Sequence, residues 1–256
     1  MDIQQNLMLP VSYKQSCLYG ANVVGNKAYN IARLAIAGFD VPKGCVLPAN
    51  AWEAIHNNSI NAQYRDHTIE WICNYLNVDR YAVRSSAVGE DSSIGSWAGC
   101  FESVLSVESE HIWDAVLICG NSLYGRRAQE YCKLKPGIMF VEKMGVLIQE
   151  YLFADWNGVS FSANPVTRNH DQIVIEFQNS ANGSVVEGRG IPQTVVIDKK
   201  NLTQQRNIEF PNDFVKKVFR ITSEIEVFMG IPVDVEWLIA HDCLYIVQAR
   251  PITTVI

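Results

Sequence analysis

The residue types best suited to chemistry gather near the end of the chain. Pro232-Val233-Asp234-Val235-Glu236-Trp237 and Leu244-Tyr245-Ile246-Val247-Gln248-Ala249-Arg250-Pro251 are β-rich runs, separated by the polar turn His241-Asp242-Cys243. They read as a β-hairpin. Residues two apart on a strand share a face, so Asp234 points with Glu236, and Gln248 with Arg250. Register decides whether the two pairs meet. A two-residue loop at His241-Asp242 puts them on opposite faces, whereas a three-residue loop, His241 to Cys243, pairs Glu236 with Gln248 and Asp234 with Arg250. The second register is expected. It makes one patch of two carboxylates, an amide and a guanidinium. The oxygens suit Mg²⁺, and the cation suits the phosphates that travel with it. The competing reading is a salt-bridged hairpin on a solvated face.

Two earlier stretches have the chemistry of anion binding. Gly20-Ala21-Asn22-Val23-Val24-Gly25-Asn26-Lys27 opens a helix running from Ala28 to Ala37. Free N–H groups, the helix dipole and the Lys27 ammonium would converge there, although an ordinary capped surface helix has the same look. Gly89-Glu90-Asp91-Ser92-Ser93-Ile94-Gly95-Ser96-Trp97-Ala98-Gly99 is the loop richest in Gly and Ser. Such a loop lets backbone N–H groups approach phosphate, or it is simply a mobile hairpin tip. It lacks the Gly-Lys-Ser/Thr ending of a P-loop.

The elements that must position these residues are mixed. Residues 1–19 read as irregular. Strands are expected at 81–87, 101–107, 145–152, 159–163, 173–177 and 194–198, with a buried strand ending near Leu47. Helices are expected at 49–55, 69–76 and 213–229, and one long helix from Ile112 to Cys132 with Trp113, Val116, Leu117, Leu123 and Tyr124 on its buried face. The last of the others, 213–229, carries an apolar stripe of Phe214, Val218, Ile221, Ile225 and Phe228. No strict βαβ period appears, which indicates an α+β fold of two lobes, about 1–140 and 141–256.

With 256 residues, 48% of them hydrophobic, the chain can build a substantial core. A net charge of −6 and no Lys/Arg run argue against nucleic acid and anionic membrane as partners. No signal peptide is legible at the start, and no window approaches the roughly 18 apolar residues of a membrane span. Seven scattered cysteines without a Cys-x-x-Cys read as reduced thiols of a cytoplasmic protein and argue against zinc.

Taken together, six stretches resemble one family. Gly25-Asn26-Lys27-Ala28-Tyr29-Asn30-Ile31 looks like its Gly-x-Lys-x-x-Asn-Leu opening, and Gly38-Phe39-Asp40-Val41-Pro42-Lys43-Gly44 like its Gly-hydrophobic-x-Val-Pro-x-Gly. Val83-Arg84-Ser85-Ser86-Ala87 with Glu90-Asp91, and Ser96-Trp97-Ala98-Gly99 with Glu102, match its Arg-Ser-Ser-Ala and Ser-Phe-Ala-Gly motifs. Residues 158–167 and the terminal hairpin complete the set. The family is the ATP-binding domain of phosphoenolpyruvate synthase, pyruvate phosphate dikinase and rifampin phosphotransferase. The resemblance implies an ATP-grasp-like fold with ATP bound between the lobes. It implies that Lys27 and Arg84 hold ATP phosphates, that the loop Gly95, Ser96, Trp97, Ala98, Gly99 closes over them, and that Arg250 touches phosphate. Asp234, Glu236 and Gln248 would work with Mg²⁺. The strand Gln149, Glu150, Tyr151, Leu152 falls at the adenine hinge, where backbone groups read the base.

The resemblance further implies an ATP- and Mg²⁺-dependent phosphotransferase that yields AMP and phosphate, the β-phosphoryl going to a histidine on a swivelling domain. Such transfer rests on positioning and charge neutralisation. Two departures stand out. Ser184 replaces the acid of a Gly-Glu pair in Gly183-Ser184-Val185-Val186, and neither the Thr-Ser-His of the carrier domain nor the barrel for phosphoenolpyruvate is present in this stretch. The acceptor would then be a histidine of a separately encoded protein or a small molecule. His170 is the only internal histidine worth testing as an acceptor. An ATP-grasp ligase forming an acyl phosphate, or a nucleotide-binding partner subunit without turnover, are the alternatives. Joint retention of Lys27, Arg84, Asp234, Glu236, Gln248 and Arg250 weighs against the latter.

Overall fold

The computed structural model describes residues 8–92, 95–97, 99–134, 141–182, 192–200 and 212–252. The chain divides into two compact units, one of Met1–Gly38 with Pro42–Leu152, the other of Phe39–Val41 with Phe153–Ile256. Among the described residues no helix is long and apolar enough to cross a membrane. All seven cysteines are free, with Cys45, Cys100 and Cys119 buried and Cys243 exposed.

The first unit is built on an antiparallel sheet. Its strands are β1 (Val11–Ser12), β2 (Gly44–Leu47), β3 (Tyr81–Ala87), β6 (Ser103–Val107) and β7 (Met144–Glu150), in the order β1-β2-β7-β3-β6. The small hairpin of β4 (Asp91–Ser92) and β5 (Gly95–Ser96) stands apart from it. The helices are α1 (Tyr13–Tyr19), α2 (Ala21–Val24), α3 (Asn26–Ile36), α4 (Ala49–His56), α5 (Ala62–Leu76), α6 (Ile112–Asn121) and α7 (Arg126–Leu134). Strand alternation sorts the two faces. Cys45, Leu47, Tyr81, Val83, Val146 and Ile148 face one side, where they share a core with Trp52, Ile72, Leu76, Ile112, Val116 and Cys119 of α4, α5 and α6. Arg84, Ser86, Leu147 and Gln149 face the other side, toward α1 to α3: the Ser86 Oγ accepts a bond from the Ala28 N–H at 2.9 Å.

Three expectations change in this unit. Residues 11–19 are regular, not irregular. Ser12 caps α1 in a reciprocal capping box with Gln15, a Ser-x-x-Gln signature that the sequence displays. The long helix expected over 112–132 is broken. After Asn121 comes a 3₁₀ turn, Ser122–Tyr124, then an extended Gly125, and α7 begins afresh. Glycine is a poor helix former, and here Tyr124 is 43% exposed rather than buried. The division between units also falls later than 140/141, because β7 pairs on one edge with β2 and on the other with β3.

The second unit is an antiparallel sheet, β10-β9-β8-β11-β12, made of β8 (Trp156–Phe161), β9 (Gln172–Asn179), β10 (Gln193–Asp198), β11 (Val233–Ala240) and β12 (Cys243–Pro251). Helix α8 (Asn212–Met229) covers the face that carries Ser160, Ile175, Val235 and Trp237: Ser160 Oγ lies 2.7 Å from Thr222 Oγ1. The stripe that α8 buries is Val215, Val218, Thr222 and Ile225. It is rotated from the expected one, and Phe228 remains 36% exposed. Thr222 can enter the buried stripe because Val218 O and Ser160 Oγ satisfy its hydroxyl.

Candidate functional site

The terminal hairpin reaches the expected pairs by another route. Ala240 pairs with Cys243, so the loop is the two residues His241 and Asp242, with φ of 51° and 61°. Two consecutive positive φ values are the signature of a type I′ hairpin turn, here without the usual glycine. Asp234 nevertheless pairs with Arg250 and Glu236 with Gln248, because the register shifts between Glu236 and Trp237. Ile246 pairs with Trp237 and Gln248 with Glu236, leaving Val247 as the extra residue of a β-bulge. The three-residue loop is thus corrected. The bulge supplies the one-residue shift that it was meant to supply.

This places Asp234, Glu236, Gln248 and Arg250 on the sheet face that points away from α8. The Arg250 Nε and a terminal guanidinium nitrogen both donate to Asp234 Oδ2, at 2.9 and 2.8 Å. Asp234 is 8% exposed, and its Oδ1 is buried without a hydrogen-bond partner. Burial pushes the Asp234 carboxyl above its ordinary value. Arg250 pulls the other way, and the charges of Glu236 and Glu176 add to the rise. Glu176, on β9, is a carboxylate that sequence reasoning missed. It lies in one cross-strand row with Val159, Glu236 and Gln248. Only its alternation with the apolar Ile175 and Phe177 hinted at its face; the partners in its row lie on other strands, distant in sequence, and leave no local signal.

The oxygen-only donors on this face fit Mg²⁺ in kind, and the unsatisfied Asp234 Oδ1 is where a cation would complete the bonding. Among the described residues, the His/Cys/Asp/Glu trio whose ligand atoms lie within 4.8 Å of one another is Glu108, Glu110 and His111, none of them buried.

In the first unit, Lys27 sits in the first turn of α3 and is 8% exposed. Its Nζ lies 3.3 Å from Glu90 Oε1, and Glu90 Oε2 accepts the Ala87 N–H at 3.1 Å. The Gly89 N–H donates to Asn26 Oδ1 at 2.7 Å. With the bond from Ala28 to Ser86, these contacts stitch the start of α3 to the end of β3. Gly25 makes the approach possible: its φ is +80°, and a Cβ there would lie 1.8 Å from the Ser86 carbonyl oxygen. Arg84 projects from β3 on the same face as Ser86, so Lys27 and Arg84 stand on one side of the first sheet.

The glycine loop is anchored by Trp97, which is 3% exposed and packs its ring against Phe101 and Tyr131 with centroids 5.6 and 4.7 Å away. The indole is therefore core and is not free to meet a ligand. Asp91 pairs with Ser96 and Ser92 with Gly95; Gly99 is exposed, with φ +73°. Ala98 and Ser184 lie outside the described residues.

At the expected hinge, the Gln149 side chain is buried and donates to the Tyr13 hydroxyl at 3.0 Å. Tyr13 in turn donates to Pro42 O, and burial holds its phenol well above the usual value. The Glu150 and Tyr151 N–H groups are engaged by Lys43 O and Arg80 O, at 2.8 and 2.9 Å. Among the described residues no backbone partner occurs for the Leu152 N–H. His170 is exposed in a loop beside Asp171, which pairs with Lys200.

A family described as "Pyruvate phosphate dikinase, AMP/ATP-binding domain" matches residues 67–210 and 201–255. Among curated relatives, the uncharacterized phosphotransferase YvkC of Bacillus subtilis is 27% identical over 92% of this chain and 34% of its own length. The probable phosphoenolpyruvate synthase of Methanocaldococcus jannaschii is 30% identical over 68% of this chain and 17% of its own. The rifampicin phosphotransferase of Bacillus cereus is 28% identical over 91% and 34%. The chain thus spans about a third of the length of these relatives, or less. Among solved structures, a D-alanine-D-alanine ligase from Helicobacter pylori is similar at a TM-score of 0.48 and 12% identity, over 95% of this chain and 61% of that one. Likeness at that level carries no argument about ligand or reaction.

Proposed function

Because the chain belongs to the family of pyruvate phosphate dikinase AMP/ATP-binding domains, we propose that it is the nucleotide-binding part of an ATP- and Mg²⁺-dependent phosphotransferase. It cleaves ATP and passes a phosphoryl group either to a histidine of a separate protein or domain, or to a small molecule. The observation that carries this reading is Asp234, a buried carboxylate with one oxygen held by Arg250 and the other without a partner. Buried polar atoms are nearly always satisfied, and a bound cation is the partner that a carboxylate with acidic neighbours accepts.

Asp234, Glu236 and Gln248 would hold Mg²⁺, and the bound ion would neutralise charge on phosphate oxygens. Lys27 and Arg84 supply cations for the phosphates, and Arg250 both orients Asp234 and adds a donor. The Gly95–Gly99 loop offers backbone, since Trp97 is committed to the core. At the hinge the Leu152 N–H and nearby carbonyls read adenine, because the N–H groups of Glu150 and Tyr151 are already engaged. The names of the relatives, phosphotransferases and phosphoenolpyruvate synthases, support transfer rather than ligation.

The test joins binding to product analysis. Calorimetry with Mg²⁺ should detect ATP and barely detect GTP, and turnover with a competent acceptor should release AMP and phosphate. No nucleotide binding would sink the proposal, and ADP as the product would replace dikinase-type cleavage with simple kinase chemistry. Glu236→Gln should melt at or above the wild-type temperature without ligand yet lose most of its Mg²⁺-ATP thermal shift. An unchanged shift would put the metal elsewhere.

A further inference from the structure

We propose that Glu90 is the resident counter-ion of Lys27, a positioning residue that moderates how strongly the site draws polyphosphate. The inference rests on the reading of Lys27 as a phosphate ligand. A lysine in the first turn of a helix stands at the positive end of the dipole, the unfavourable end for a cation. Lys27 is also nearly buried, so its ammonium needs an anion close by. Glu90 is that anion: its carboxylate is 4% exposed and 3.3 Å from the ammonium.

The placement is rigid. Glu90 Oε2 is held by the Ala87 N–H, and Gly89 is tied to Asn26 in the same helical turn as Lys27. Glu90 thus occupies the kind of position, beside a helix start and an ammonium, that favours a phosphate oxygen. A lysine ammonium has three donors, so it can turn toward phosphate while Glu90 stays fixed on its backbone donor. Two anions then share one cation. The Glu90 charge lowers the affinity for ATP below what Lys27 alone would give, and it keeps Lys27 ordered while no nucleotide is bound. The penalty grows with the charge of the ligand, so it falls on ATP far more than on AMP.

Glu90→Gln removes the charge and keeps the volume and one acceptor, which can serve the Ala87 N–H while the ammonium is released from its counter-ion. Calorimetry with Mg²⁺ should show ATP binding about tenfold tighter than in the wild type, from the loss of a like charge a few ångströms from the phosphates. AMP should bind as before. Against a Lys27→Met background the gain from Glu90→Gln should shrink, because the part of it that comes from freeing the Lys27 ammonium is gone; a gain as large as in the presence of Lys27 overturns the pairing. Unchanged or weaker ATP binding by a folded Glu90→Gln protein overturns the proposal, as does an equal gain for AMP and ATP, which would mark a general loosening of the loop. Should Glu90→Gln not melt cooperatively by itself, the proposal requires that Mg²⁺-ATP, and not AMP, restore a cooperative melt; failure to do so overturns it. Wild-type protein is the reference: if it does not bind ATP, the functional reading fails, whereas normal wild-type binding without the Glu90→Gln gain sinks only this inference.

Discussion

Asp234 has a raised carboxyl because burial penalises its charge and Glu236 adds to the penalty, while Arg250 recovers only part. A group whose folded value lies above its unfolded one stabilises fully below the unfolded value, near pH 4, and loses that contribution as pH rises through the folded value. The ligand-free protein therefore carries a carboxylate that weakens it at neutral pH. Asp234→Asn, which keeps an acceptor for Arg250, should melt above the wild type at pH 7 by a few degrees, and the gap should close on approach to pH 4. Melting curves across that range check the sign; a constant gap would mean that titration of Asp234 is not its source. The two cations of the other unit behave differently. Arg84→Ala should lower kcat/KM by the equivalent of about 3–4 kcal/mol, the usual loss for a group that stabilises developing charge, with little change in melting. Lys27→Ala should lose turnover similarly but also cost about 3–5 kcal/mol of stability, because it strands Glu90 as a buried charge. Steady-state kinetics beside thermal melts separates the two.

At the scale of elements, the start of α3 and the end of β3 act as one piece. Gly25 lets them touch, with a positive φ and no room for a side chain against the Ser86 carbonyl. Gly25→Ala should cost on the order of 3 kcal/mol, from backbone strain and overlap together, and should displace Lys27 from Glu90. A fall in the denaturant midpoint with loss of ATP affinity is the expected result; a near-wild-type midpoint would show that the helix start can retreat from the strand at little cost. Gly158 plays a similar part in the second sheet, where a Cβ would meet the Trp237 ring at 2.5 Å and the Glu176 carbonyl at 2.3 Å. A close approach of this kind lets Trp237 lie on the face covered by α8, while Glu236 and Asp234, one and three positions before it, turn to the other.

The whole chain is not divided at a single cut. Phe39–Val41 belong with the second unit, although they precede most of the first. Phe39 packs against Phe228 with ring centroids 5.8 Å apart, and Asp40 O accepts the Ile246 N–H at 2.8 Å. A fragment of residues 153–256 would lack both contacts. Its Ile246 amide should exchange with solvent faster than in the full chain, and its melt should be lower and less cooperative. Equal protection of Ile246 in fragment and full chain, followed by hydrogen exchange, would show that the three early residues are dispensable to the second sheet.

The chemistry of the terminal hairpin was legible in the chain because strand alternation is a local property. Asp234 with Glu236 and Gln248 with Arg250 share faces whatever the fold, and the β-rich runs around them have few other conformations available. The order of motifs from Gly25 to Arg250 likewise sufficed to name a family. Other features depended on partners distant in sequence, which no local pattern encodes. The alternation could not tell a three-residue loop from a two-residue loop with a bulge at Val247, since both give the same pairs; which one forms depends on how Trp237 and Val247 pack. Glu176 joined the acidic face only when β9 paired with β8 in register. The contact of Lys27 with Glu90, 63 residues apart along the chain, exists because α3 and β3 close on each other at Gly25. Residue types and spacing selected the chemistry. Long-range pairing decided which charges stand close enough to act on one another, because Coulomb interactions in a buried setting depend on a few ångströms that only the folded chain can fix.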